Sequence, residues 1–437
     1  MKVLTGFSKL NITEKINLLK KNVSLDEKQI ALLTAFRDGD KDPGGVIEGL
    51  SENYISNYSL PFSIAPNFRV NDKLYYVPMV TEESSVVAAA AFAAKFWAGH
   101  GGFKSEILGT KKTGQIYFQW TGTIEKLQSM LPVLTEKLIS SVKPLTANME
   151  KRGGGITDIN FNTDHRGKKD YHIVNIEFDT VDSMGANLIN SCLETMRSEL
   201  ISFIAENFTG SESMAEVILA ILSNYTPDCL VECAAECNID DLSEISGKLT
   251  PEQFARKFEK ALQIAHEYIP RAVTHNKGIF NGIDAVLLAT GNDFRAVEAC
   301  GHAYAARDGF YKALTDIDIS GDWFRYRLRI PLSLGTIGGA TSVHPMARLA
   351  LQIMNNPTSG ELMQLVASVG LASNFAAIRS LITDGIQKGH MRLHMNNILS
   401  HFNVNESEKL LVEEHFRNKQ YSFRSISDFL EGIRGSL

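Results

Sequence analysis

Two segments place a lysine and an aspartate where they could do chemistry. Thr274-His275-Asn276-Lys277-Gly278-Ile279-Phe280-Asn281-Gly282 sets one lysine among two glycines and two asparagines, and Ala289-Thr290-Gly291-Asn292-Asp293 ends in an acid sixteen residues beyond it. The composition predicts a Gly/Asn turn at each, between apolar runs, aiming both charges into one cleft. A fixed ammonium there would stabilise an oxyanion as it develops; a structural ion pair fits the same spacing equally well. Glu83, in Glu82-Glu83-Ser84-Ser85 before the alanine-rich stretch Val86 to Trp97, is a second candidate. It reads either as a proton donor set against apolar surface or as a first-turn acid favoured by a helix dipole. Ser85 stands where a hydroxyl and backbone N–H groups could hold a ligand carboxylate. The third candidate is Gly389-His390-Met391-Arg392-Leu393-His394, four residues past Gly385. A histidine on a hinged tail can close over a site and deliver a proton; a surface histidine pair is the plainer reading.

Positioning these residues needs a scaffold. The first forty residues read as two short helices, capped by Asn11 with Glu14 and by Ser24 with Glu27. Pro61 to Val80 reads as strands and turns, and the acids and hydroxyls before Val86 as a helix start. A different rhythm follows: strands at Gly114–Trp120, Ile156–Asn162, Tyr171–Thr180 and Glu216–Leu222, with helices at Ile124–Val142 and Asn187–Phe208. That β-α-β-β-α-β order is the split ferredoxin-like pattern. The expected fold is therefore mixed α/β (α+β), with a ferredoxin-like domain inserted in a larger one. The expected boundaries are 1–110 and 224–384 for the large domain, 111–223 for the insert and 385–437 for a helical tail.

Composition narrows the class. The chain has 437 residues, 44% of them hydrophobic, and a formal charge of −6. That balance argues against a nucleic-acid partner. No run of residues is apolar for longer than nine, Val86 to Ala94, so no membrane span is expected. GxGxxG, Walker, HExxH and GxSxG motifs are absent. Cys229, Cys233 and Cys237 lack the tight spacing of zinc ligands and have no nearby histidine; they read as ordinary thiols, with no metal expected. Five sparse cysteines fit a reducing cytosol.

Together the segments resemble 3-hydroxy-3-methylglutaryl-coenzyme A (HMG-CoA) reductase, in the class II form of bacteria and archaea. The resemblance runs from Glu52-Asn53-Tyr54-Ile55 through Val77-Pro78-Met79, Glu83, Val87-Ala88-Ala89-Ala90, Asp182-Ser183-Met184-Gly185-Ala186-Asn187 and Ile221-Leu222-Ser223-Asn224. It continues through the Lys277 and Asp293 segments and Gly338-Gly339-Ala340-Thr341 to Gly389-His390-Met391. It implies four-electron reduction of HMG-CoA to mevalonate and CoA by two hydrides from a nicotinamide cofactor. By the same resemblance Lys277 stabilises the oxyanion, Asp293 orients it, His390 protonates the departing thiolate and Glu83 donates a proton at the mevaldehyde stage. Ser85, Arg271, Asn224, Asn281 and Asn374 fall at substrate positions, and Asp182, Ser183, Met184, Gly185, Ala186 and Asn187 at the cofactor loop. A homodimer with the site across its interface is also implied.

The pattern is departed from at Ser56, Ser84, Ser342 and Ser373, which bear on CoA affinity and leave the four catalytic positions intact. Lys143 to Arg152, before Gly153-Gly154-Gly155, holds three basic residues and only Glu150 as an acid. A base attracts a 2′-phosphate and an acid repels it, so NADPH is expected over NADH. Two alternatives stand beside biosynthetic reduction: the same enzyme oxidising mevalonate, and a non-catalytic CoA-binding homologue.

Overall fold

The computed structural model describes residues 3–38, 46–164 and 171–383, and, of the tail, 395, 398–399, 401–402, 404–416, 419 and 421–434. His390 lies outside the described residues. In chain order the elements are α1 (Ile12–Val23), α2 (Glu27–Asp38), β1 (Phe62–Val70), β2 (Lys73–Val80), α3 (Ser84–Gly99), β3 (Phe103–Ile107), β4 (Lys112–Trp120), α4 (Ile124–Ser129) and α5 (Leu131–Glu150). There follow β5 (Gly155–Asp164), β6 (Tyr171–Asp179), α6 (Ala186–Asn207), β7 (Ala215–Leu222), β8 (Leu230–Asn238), α7 (Pro251–Glu267), α8 (Ile269–Thr290) and α9 (Phe294–Ala305). The chain continues with β9 (Thr315–Asp318), β10 (Trp323–Pro331), α10 (Gly339–Val343), α11 (Pro345–Ile353), α12 (Ser359–Ile382), α13 (Glu406–His415) and α14 (Phe423–Arg434).

Two sheets organise these elements. The larger runs β2-β1-β3-β8-β10-β9, and the smaller runs β5-β6-β4-β7. The smaller is the β-α-β-β-α-β unit read from the sequence, its pairings all antiparallel, with α5 and α6 packed on one face over its own apolar core. The chain leaves β3 for β4 and returns from β7 to β8 along adjacent paths. Leu230 N–H donates to Gly109 O at 3.0 Å and Leu108 N–H to Leu230 O at 2.8 Å. A Cβ on Gly109 would lie 2.3 Å from Asp228 O, so only glycine allows the two linkers to run this close.

The large core centres on α12. By length and composition it is apolar enough to cross a bilayer, which the nine-residue apolar maximum did not reveal because serine, glycine and asparagine interrupt it. Every residue from Leu365 to Ala376 is nevertheless buried. Phe375 packs against Trp97, with centroids 4.9 Å apart, and against Phe258 at 5.6 Å. α12 is thus a core helix. Cys233 and Cys237 lie four residues apart on β8, hence on one face, and Cys229 just precedes the strand. All three thiols are buried, and burial pushes them up, to about 11 for Cys229 and about 12 for Cys233 and Cys237.

The N-terminal reading needs one correction. Asn11 and Glu14 form the expected capping box, but Ser24 ends α1 in the left-handed region, with φ 53°. Asp26 and Gln29 exchange the cap hydrogen bonds of α2 instead.

Candidate active site

Lys277 stands in the middle of α8, a continuous 22-residue helix, and not in a turn. The Gly/Asn composition misled because it serves packing. Asn276 is buried; its amide donates to Lys312 O at 2.9 Å and accepts from Leu314 N–H at 3.0 Å. A Cβ on Gly282 would meet Ser373 Oγ at 2.3 Å and Val369 O at 2.8 Å, so this glycine lets α8 press against α12. Ala272, Ile279, Phe280, Ile283, Val286 and Leu287 are the buried side of the helix, which leaves Lys277 on the outer face with Asn281 one turn on.

Glu83 is the N-cap residue of α3, yet its side chain makes no cap hydrogen bond. The carboxylate turns outward: the Ser85 hydroxyl donates to Oε1, and Lys277 Nζ lies 3.9 Å from Oε2. The first-turn acid reading of Glu83 therefore misses its main partners, which are a hydroxyl and a cation. Asp293 caps α9, accepting from Arg295 N–H and Ala296 N–H at 3.1 and 3.2 Å, and pairs with the Arg295 guanidinium at 3.2 Å. The cation closing on an acid is thus Lys277 on Glu83, while Asp293 pairs with Arg295. Arg271 is half-buried near the start of α8, where burial lowers its basicity, and Asn224 is exposed just after β7.

Asn374, expected at a substrate position, lies in the core beside α8. It is 1% exposed, its amide donates to His275 O at 2.7 Å, and the Tyr326 hydroxyl donates to its Oδ1. Through these bonds it fastens α12 to α8 and β10. Asp182 accepts from Ser359 N–H at 2.9 Å through its carboxylate. Residues 183–187 follow, leading into α6, whose N-cap Gly185 has φ 81° and supplies no side-chain cap.

One further pair carries no local sequence signal. Asp284, seven residues past Lys277 and on the same face of α8, is hydrogen-bonded to Glu298 of α9, and burial together with that neighbouring carboxylate pushes it up to about 8. Its Oδ1 is buried without a hydrogen-bond partner among the described residues. Only the helical phase of α8 reveals this neighbourhood. The unfolded chain releases the Asp284 proton near pH 4 while the folded chain keeps it to about pH 8. Above pH 4 the unfolded state binds fewer protons, so Asp284 subtracts stability progressively as pH rises through that window. Asp284→Asn keeps a donor for Glu298 and removes the penalty. Its melting temperature should exceed wild type by a margin that widens from pH 5 to pH 8 and then levels. Melts giving the same margin at every pH would overturn this account.

The family model described as hydroxymethylglutaryl-coenzyme A reductase matches residues 11–395. The chain is 37% identical over 399 residues to the 3-hydroxy-3-methylglutaryl-coenzyme A reductase of Archaeoglobus fulgidus, covering 90% of this chain and 86% of that one. It is 36% identical over 442 residues to a probable reductase of the same name from Borreliella burgdorferi, covering 99% and 96%. The structure of the class II reductase of Streptococcus pneumoniae bound to NADPH superposes with a TM-score of 0.78 at 35% identity, covering 87% of this chain and 99% of that one. With the split insert, the capless α6 loop and the Glu83–Lys277 approach in place, the chain belongs to the HMG-CoA reductase family, in its class II form.

Proposed function

We propose that Lys277, Glu83 and Asp293, with His390, carry the family's reduction of HMG-CoA to mevalonate and CoA in this chain. The observation that supports this most is the 3.9 Å approach of Lys277 Nζ to Glu83 Oε2, with the Ser85 hydroxyl on the other carboxylate oxygen. The ammonium meets the charge that develops on the thioester oxygen and then on the aldehyde oxygen. Glu83 passes a proton to that second oxygen. Asp293 is the family's orienting acid for Lys277, and His390 returns a proton to the CoA thiolate. Ser85, Arg271, Asn224 and Asn281 hold the substrate's carboxylate and hydroxyl.

The residues fit a nicotinamide dinucleotide at 182–187. Gly185 opens α6 without a side-chain cap, leaving the helix's first amides for a pyrophosphate. Two such cofactors, bound there in succession, would each supply one hydride. NADPH is favoured by exposed Lys151 and Arg152 at the end of α5, and by Glu150 accepting a 2.6 Å hydrogen bond from Thr146. The Streptococcus pneumoniae relative binds NADPH.

A homodimer completes the site in this reading. The Lys277 side chain is 65% exposed and Glu83's is 37% exposed, so a single chain leaves them open. Beside them runs an apolar groove of about 1470 Å3, lined by Ile55, Tyr58, Ser84, Val87 and Phe92 among others. Ile55 is 94% and Tyr58 89% exposed on this groove, and a contiguous apolar surface of this kind marks an interaction site. Five buried free thiols fit a cytoplasmic setting.

The test follows absorbance at 340 nm with HMG-CoA and NADPH or NADH, with the oligomer measured by light scattering. Two equivalents of cofactor oxidised per CoA released, faster with NADPH, is the expected result. A folded protein that oxidises neither cofactor would leave the CoA-binding homologue as the function.

A further inference from the structure

We propose that Lys112, a buried lysine on the first strand of the insert, is a positioning residue for the dinucleotide: it locks the strained turn from which the 182–187 loop springs. Lys112 is 4% exposed and sits opposite Phe178 in the β4–β6 ladder, a place for an apolar residue. Its ammonium donates to Thr180 Oγ1 at 2.5 Å and to Ser183 O at 2.8 Å. Thr180 Oγ1 in turn donates to Ser183 O at 2.6 Å, and Ser183 N–H donates to Thr180 O at 3.1 Å, closing the turn. Burying an ammonium is costly, so a lysine here needs a reason, and its hydrogen bonds converge on one carbonyl of the loop.

The turn needs such a lock. Val181 is at φ 54°, a left-handed conformation that a β-branched residue avoids. Strain of this kind persists only where the surroundings over-determine it. Asp179 Oδ1 accepts from Val181 N–H at 2.9 Å, and Asp182 is tied to Ser359 N–H at 2.9 Å and, through its carbonyl, to Thr336 N–H at 2.8 Å. Gly335 packs so closely on the loop that a Cβ there would lie 2.4 Å from Met184 N. Those contacts hold residues 179, 181, 182 and 184. Lys112 and the Thr180 hydroxyl it holds are the side chains that reach Ser183 O, two residues before the N-cap of α6. A cavity of about 230 Å3 beside it, lined by Thr110, Arg152, Asp179, Asp182 and Ser359 among others, leaves room for a methionine in its place.

The inference rests on the reading that 182–187 hold the dinucleotide, and the experiment separates the two. NADPH is titrated without HMG-CoA by its fluorescence, and amide hydrogen exchange of 180–187 is followed with and without NADPH, for wild type, Lys112→Met and Thr180→Val. The expected result is slowed exchange of the wild-type loop by NADPH, with NADPH Kd raised at least tenfold in Lys112→Met and threefold in Thr180→Val. In both variants the free loop should exchange faster, while the KM for HMG-CoA stays within twofold. Wild type that binds NADPH without slowing the loop would overturn the reading of 182–187. A protected wild-type loop with variant Kd values within twofold of wild type would overturn the role of Lys112 alone, as would equal losses of NADPH and HMG-CoA affinity. Should Lys112→Met not fold, Thr180→Val decides on the same criteria.

Discussion

Lys277→Ala should lower kcat for HMG-CoA reduction by about 10²–10³-fold, the loss that follows removal of one oxyanion donor. Folding is not at stake: the side chain is on the exposed face of α8, alanine favours a helix, and the residues that pack α8 onto α12 are on its other side. KM for HMG-CoA should move far less, because the ammonium's work is concentrated where negative charge develops. Lys277→Arg tests geometry as well as charge. A guanidinium is wider and keeps its charge, so partial activity there beside deep loss in the alanine variant would identify a positioned cation. A folded Lys277→Ala enzyme within tenfold of wild-type turnover would remove Lys277 from the chemistry.

Much of this arrangement was legible before any coordinates, and what escaped did so for physical reasons. The insert was readable because each strand alternates and each helix is amphipathic; β4 buries every second residue from Lys112 to Trp120. The expected strand began at Gly114, whereas β4 starts at Lys112; a lysine at a strand's end reads as solvated, and no local pattern shows that it fills a buried hydrogen-bonding niche. α8 was misread as turns because glycine and asparagine are local turn signals, while their reasons for being there are non-local. Gly282 answers to Ser373, 91 residues away, and Asn276 to Lys312 and Leu314. The catalytic candidates were singled out by residue type and by the resemblance, yet their partnering was not: Lys277 meets Glu83, from the far end of the chain, and Asp293 takes Arg295. Asn374 likewise has partners that no local pattern shows: His275 O on α8 and the Tyr326 hydroxyl on β10.

Glu83→Gln is the sharper test of how protons move. Glutamine keeps an oxygen that can accept from Ser85 and keeps the volume at the start of α3, so the site's shape survives. What it loses is the acid. Overall turnover should fall by about 10²–10⁴-fold, the range for a positioned general acid, and reduction of added mevaldehyde should fall with it, the stage at which the proposed mechanism uses Glu83. Ser85→Ala should behave differently, raising KM for HMG-CoA more than it lowers kcat, because the proposed mechanism gives its hydroxyl a binding role and leaves the proton to Glu83. The 3.9 Å separation of Lys277 Nζ from Glu83 Oε2 adds a third expectation. Groups that act as one unit are not additive when removed, so the double variant Glu83→Gln/Lys277→Ala should be little slower than the slower single. Multiplicative losses would mean two independent contributions that merely lie close together. Mevaldehyde turnover within tenfold of wild type in Glu83→Gln would deny it the proton-donor role and leave it as a counter-charge that orients Lys277 at the mouth of α3.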